Sequence, residues 1–316
     1  MESNEKSTRV DVERSAQLAI VGGSFFEPQS RLSIWSHLLG QPSDDVIAAD
    51  SISIKVVELS LSNQRTVHVD AERTRQDLPA FRGEAAVHRV ECILTYYCHR
   101  MSVRYKQGLN ELLAPLFLLE DRSGQCISDG TAYNLLCRVV RHFAPRFFAS
   151  DDTDFISLQC SFRLFRLLTL YHDPTLAAVL DQYELPPELY ATPWFITLFA
   201  RNLNDMTIIF ALWDFLFCCA RSPGPAMLHF VSLAFLRSHR DVVMATARDN
   251  SEVAELPMKL SHITFESLDD VRRVCASALD LFASTPRSLR VLIHNVGYSV
   301  GSGVNGKFPR ELHSCD

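Results

Sequence analysis

Between Thr131 and Phe143, the apolar residues Ala132, Leu135, Leu136, Val139, Val140 and Phe143 fall at i, i+3, i+4, i+7, i+8 and i+11. That is the period of a helix with one buried face. Asp129 stands where an N-cap belongs. A second stripe, Phe155, Leu158, Phe162 and Phe165, predicts another helix. His172-Asp173-Pro174 ends it, and Pro174 suits the first turn of the next one. The same pattern predicts helices over about 83–101, 108–120, 174–183, 188–202, 206–220, 224–238 and 266–283. The stretch 206–220 is apolar all round, so it is expected to be a central helix buried by its neighbours. Only Ser51 to Ser62 alternates like a strand, and one such run makes no sheet. It is expected to be an extended connection.

These elements predict an all-α chain with one large multi-helix domain over 25–240. Residues 1–24 lack periodicity and are expected to be mobile. Residues 241–290 read as a polar connection followed by an accessory helix. The tail 291–316 carries four glycines and no stripe, and is expected to be flexible. The 316 residues are 47% hydrophobic and 22% charged, an ordinary globular composition.

Net charge is −6, and no run of lysine or arginine reaches five, which disfavours a nucleic-acid partner. The opening MESNEKSTRVDVER has no apolar core and does not read as a signal peptide. The longest nearly apolar run, Thr207 to Ala220, contains Asp214 and is shorter than the ~18 residues a membrane span needs. No transmembrane segment is expected, and the location is expected to be cytoplasmic. Glu2 and the ending ELHSCD offer no lipidation motif. Nine cysteines without a C-x-x-C predict reduced, mostly buried thiols and no metal site. His99 beside Cys98 makes no dyad, because helix neighbours point about 100° apart.

GSGVNGKF (Gly301 to Phe308) matches G-x-G-x-x-G and most of a phosphate-binding loop. Phe308 stands where the magnesium-binding hydroxyl belongs, and Pro309 with so short a remainder leaves no helix to hold a phosphate. It is read as tail.

Two other stretches carry more. VHVDAERTRQDLP (Val67 to Pro79) spaces Val67, Asp70 and Arg73 by three, which puts them on one face of a helical turn. RYKQGLNELLAPLFLL (Arg104 to Leu119) is a polar, glycine-marked entry into an apolar helix, with Tyr105, Gln107 and Asn110 at the entry. Gln107 lies 34 residues after Arg73, and one helix fits between them. An antiparallel return would bring a guanidinium and a carboxamide to one surface. Alone, an arginine after an acid is usually a surface ion pair worth at most ~1 kcal/mol.

Further blocks give these stretches a context. RLSIWSHLLG (Arg31 to Gly40), PWFITLFARNL (Pro193 to Leu203) and IIFALWDFLF (Ile208 to Phe217) occur in order with VHVDAER and YKQGLN. Together, over roughly residues 27–240, the five resemble the TBC-type domain that activates Rab GTPases. That family carries I-x-x-D-x-x-R and Y-x-Q motifs, which match Val67, Asp70 and Arg73, and Tyr105 and Gln107. Val67 replaces the family's isoleucine and Leu109 its methionine. The resemblance implies an all-α fold and two residues supplied in trans to a Rab: Arg73 as an arginine finger and Gln107 to orient the attacking water.

It further implies supporting roles for Asp70, Tyr105 and Asn110, and no cofactor of the chain's own, since GTP and Mg are bound by the partner GTPase. Vesicle traffic is the expected process. Phe265 to Arg290 is similar to the segment following the domain in a subgroup of vesicle-tethering adaptors at the Golgi. That implies the rival reading, a TBC-fold adaptor for trafficking or tethering partners, peripheral on Golgi or endosomal membranes.

Trp35, Trp194 and Trp213 are expected in the core. Asp214, inside an apolar helix, needs a fixed partner there, and Arg201 is the candidate.

Overall fold

A computed structural model describes residues 15–40, 61–144, 147–148, 155–221, 224, 226–248 and 255–298. A short helix spans 15–21. After it come α1 (Pro28–Leu38), α2 (Gln64–Arg73), α3 (Glu84–Arg100), α4 (Leu109–Phe117), α5 (Asp129–Phe143), α6 (Ile156–His172) and α7 (Pro174–Gln182). The chain continues through α8 (Thr192–Ile196), α9 (Met206–Cys218), α10 (Met227–Ser238), α11 (Arg240–Arg248), α12 (Leu256–Ser261), α13 (Leu268–Ser284) and α14 (Arg287–Tyr298). The described residues contain no strand, only an isolated bridge between Glu120 and Cys126. The fold is all-α, as the periodicity predicts. The alternating run at 51–62 falls almost wholly outside the described residues, as do GSGVNGKF and residues 1–14.

The apolar stripe of α5 is buried from Ala132 to Phe143. Its N-cap is not Asp129 but Ser128, whose hydroxyl accepts from the Thr131 amide at 3.3 Å. Asp129 is instead the first helical residue, and its carboxylate receives Arg89 from α3. One residue of phase separates the two, because the capping oxygen must reach forward to N2 or N3. Pro174 does open α7, with Asp173 capping it through the Leu176 amide at 3.0 Å.

Residues 188–202, expected as one helix, are three pieces: 3₁₀ turns at Pro187–Leu189 and Ala200–Asn202 around the short α8. Leu198 and Phe199 adopt φ of 49° and 66°, where a helix cannot continue. Tertiary contacts hold that strained turn. The Trp213 indole donates to the Leu198 carbonyl at 2.9 Å, and Phe199 stacks on Trp194 with ring centroids 5.5 Å apart.

α9 is the central element, packed by α1, α4 and α13, and almost all its side chains are buried. Asp214 lies fully buried in it. Its partner is Arg31, not Arg201. The Arg31 guanidinium donates from Nε and Nη2 to the two carboxylate oxygens at 3.0 and 3.1 Å, and the Trp35 indole adds a bond at 2.7 Å. The Phe26 amide supplies a fourth donor at 3.1 Å. Arg201 is exposed on the 3₁₀ turn, and its guanidinium forms no ion pair among the described residues. Four donors answer the cost of burying a charge. Burial still raises the Asp214 carboxyl above its ordinary pKa, against the opposing pull of Arg31.

The C-terminal part is more ordered than its polar composition suggests. Residues 241–263 carry α11 and α12, and α14 begins before residue 291. α13 lies along α10 and also touches α9, burying Val271, Val274, Cys275, Ala278 and Leu281. All eight cysteines among the described residues are free thiols, and all but Cys126 are buried.

Candidate functional site

Arg73 is the last residue of α2, a helix packed on α3 through the buried Val67 and Ala71. Gln64 fixes α2 against α3, donating to Glu91 Oε1 at 2.7 Å and to Thr95 Oγ1 at 2.8 Å. The Arg73 side chain is exposed and has no hydrogen-bond or ion-pair partner among the described residues. Gln107, in the loop between α3 and α4, is likewise exposed with a free side chain among those residues. The spacing of three therefore sorts by face: Val67 and Asp70 are buried while Arg73 reaches solvent.

Buried polar groups join the two segments. The Tyr105 hydroxyl donates to Asp70 Oδ2 at 2.9 Å, with Asn110 Oδ1 3.3 Å away. Asn110 donates through Nδ2 to Thr74 Oγ1 at 3.0 Å, and its Oδ1 accepts from the Gly108 amide at 3.2 Å. Thr74 Oγ1 in turn donates to the Asp70 carbonyl at 2.6 Å. Asn63, just before α2, donates to the Tyr105 carbonyl at 2.9 Å. The end of α2 and the Gln107 loop are thus bonded together on both sides of Gln107. Burial, then the neighbouring Asp70 carboxylate, holds the Tyr105 phenol well above its usual pKa, so it stays a donor.

Gly108 sets the loop's exit. It has φ of +112°, and a Cβ placed there would lie 2.5 Å from Ile196 Cγ2. Only glycine meets both demands. On the other side Lys106 donates to the Phe147 carbonyl at 2.9 Å and lies over the Phe155 ring.

Arg75, two residues beyond Arg73, was given no role by the sequence, yet it is buried and fully engaged. Its Nε meets Glu111 Oε2 of α4 at 3.1 Å, its Nη1 meets the Leu203 carbonyl at 2.6 Å, and its Nη2 bonds the Ala200 carbonyl. The arginine pins the chain after Arg73 to the 3₁₀ turn that Trp213 supports from below. The one sequence signal for it is Glu111 in the first turn of α4, an acid in a mostly apolar helix.

Trp213 and Asp214 thus support the surrounding fold, and neither is bonded to Arg73 or Gln107. Among the described residues no cluster of His, Cys, Asp and Glu suits a metal, and no helix is long and apolar enough to cross a membrane. Among the described residues the arrangement offers a guanidinium and a carboxamide without bonded partners, on segments joined by buried hydrogen bonds.

The comparisons place the all-α domain in a family. The chain belongs to the Rab-GTPase-TBC domain family, whose model matches residues 28–244. It is similar to the Homo sapiens TBC domain-containing protein kinase-like protein, 27% identical over 265 residues, covering 83% of this chain and 27% of that protein. It is also similar to Rattus norvegicus TBC1 domain family member 12, 25% identical over 260 residues, covering 81% of this chain and 34% of that one. It therefore spans only between 27% and 34% of the length of these relatives.

Two crystal structures share the fold. The Chlamydomonas flagellar RabGAP TBC domain aligns at a TM-score of 0.61 and 19% identity, over 84% of this chain and 83% of that one. The Ypt/Rab-GAP domain of Gyp1p aligns at 0.65 and 17% identity, over 85% and 92%.

Proposed function

We propose that this chain activates GTP hydrolysis by a Rab-family GTPase, with Arg73 and Gln107 supplied in trans. The observation that carries the reading is the pairing of two exposed, uncommitted side chains on segments bonded through Asp70, Tyr105, Asn110 and Thr74. Arg73 meets the charge that develops on the phosphates, a task suited to a permanently charged planar fork of donors. Gln107 orients the attacking water. GTP and Mg belong to the partner, so the chain needs no cofactor of its own to act. Its catalysis is electrostatic and positional. An arginine finger contributes ~10³–10⁵ in rate. On this reading the chain acts in vesicle traffic, from the cytoplasm, on a membrane-bound Rab.

The test is phosphate release from a panel of GTP-loaded Rabs, with wild type, Arg73→Ala and Gln107→Ala. Acceleration on at least one Rab, lost in both variants while the melting temperature holds, is the expected result. No acceleration on any Rab, or acceleration indifferent to both substitutions, defeats the proposal and favours the adaptor reading.

A further inference from the structure

Away from the Arg73–Gln107 surface, at the other end of α4, a cleft of about 480 Å³ opens between the segment before α1, the chain after α4 and the start of α9. Four half-buried apolar side chains line it beside polar groups: Phe25, Phe26, Met206 and Phe210 all keep part of their surface in solvent. Single exposed apolar residues are ordinary, but several converging on one concavity mark a site of contact.

The uncommitted charge in its lining has one sign, since Arg272, whose stem packs near Gly23, is paired with Asp269 at 2.7 Å. Glu27 and Glu120 stand on the rim, and neither carboxylate has a hydrogen-bond or ion-pair partner among the described residues. The cation in the lining, Arg31, is already spent on Asp214 and on the Phe26 carbonyl, which it meets at 2.7 Å. The helix N-termini do not restore positive charge. Asp205 caps α9 through the Thr207 amide at 2.8 Å, and Pro28 removes an amide donor from the first turn of α1. The cleft therefore sets aromatic and aliphatic side chains beside two unpaired carboxylates.

We propose that this cleft docks a partner protein's peptide segment that presents a lysine or arginine beside an apolar side chain. The apolar residue fills the aromatic-lined interior, and the cation reaches back to Glu27 and Glu120. A long cationic side chain suits such a mouth because its methylene stem covers apolar surface while its head stays at the rim. The site is independent of the reading of Arg73 and Gln107.

A random-peptide phage library selected on the full chain, with counter-selection on the E27Q/E120Q variant, tests it. Both substitutions keep side-chain size and remove only charge. Enriched peptides should carry Lys or Arg next to an apolar residue. Measured by fluorescence anisotropy, their affinity should fall about tenfold on E27Q/E120Q and weaken with added salt. Thr207→Lys, which sets a rival cation in the lining, should weaken the same peptides at an unchanged melting temperature. Enrichment that survives on the variant, acidic or wholly apolar consensus sequences, or no enrichment would each overturn the proposal. So would binding seen only after residues 1–14 are removed, since the cleft would then belong to the chain's own N-terminus.

Discussion

The Tyr105 hydroxyl lies 2.9 Å from Asp70 Oδ2, and this bond spans 35 residues to join α2 to the loop that carries Gln107. Asp70 is 5% exposed, so its carboxylate depends on that donor. Tyr105→Phe keeps the ring and removes the donor. Leaving a buried charged acceptor without it should cost about 1–3 kcal/mol, read as a lower urea midpoint at unchanged slope. The proposed acceleration of GTP hydrolysis by a Rab should fall as well, because the loop loses its anchor. Asp70→Asn, which exchanges the charge for an amide, should cost less than Tyr105→Phe.

Two arginines two residues apart should behave oppositely. Arg73→Ala removes an exposed side chain and should change stability by less than about 0.5 kcal/mol, while abolishing the proposed acceleration. Arg75→Ala strips Glu111 and the carbonyls of Ala200 and Leu203 of their donor. It should destabilise the fold by about 3 kcal/mol or more. Parallel denaturation and hydrolysis assays separate the two.

Gly108→Ala puts a methyl against Ile196 at a backbone angle that alanine resists. The expected loss is about 1–3 kcal/mol. Adding Ile196→Ala clears the clash but leaves the backbone strain. Beside the Ile196→Ala single variant, the double variant should therefore show partial coupling, measurable as a double-mutant cycle.

The Arg31–Asp214 pair admits a sharper cycle. Arg31→Met leaves a fully buried carboxylate short of two donors and should cost about 3–5 kcal/mol. Arg31→Met combined with Asp214→Leu should cost less than the sum of the single changes, because no unpaired charge then remains. Thermal unfolding of the four proteins decides it.

Stability should fall in mild acid. His229 is fully buried beside the Phe195 ring, and burial pushes its pKa down to about 3. The folded state keeps it neutral, whereas the unfolded chain binds a proton below the ordinary value of about 6.5. Unfolding therefore takes up a proton between those limits, and stability drops by about 1.4 kcal/mol per pH unit as pH falls through that window. Burial also lowers His142 and His172, which adds to the same sign. In urea titrations from pH 7 to about 5, His229→Gln should flatten the slope by close to one proton.

Periodicity made the long helices legible. Glu84–Arg100 and Asp129–Phe143 fall close to their predicted ranges because each repeats an apolar face over three turns or more, and Met206–Cys218 does so as an unbroken run apolar on every face. The break at Leu198 and Phe199 was not legible. No glycine or proline marks it, and what holds the turn is Trp213, fifteen residues further along the chain. Arg31 was hidden for the same reason, being 183 residues from Asp214, a separation that spacing rules do not reach. Arg73 and Gln107 were visible only as members of motifs. Their local sequence does not distinguish a free arginine from an engaged one, and Arg75 beside Arg73 makes the point. Burial separates them, and burial is a property of the assembled fold.

The seam that α13 forms with α10 and α9 bears on where this protein can be divided. The family match closes at residue 244, whereas α13 starts at Leu268 and buries five side chains against those two helices. The family match therefore ends before the helices that complete the packing of α9 and α10. A fragment cut at residue 244 would keep every motif named above and still bare the surfaces of α9 and α10 that α13 covers, so it is expected to aggregate, as light scattering would read.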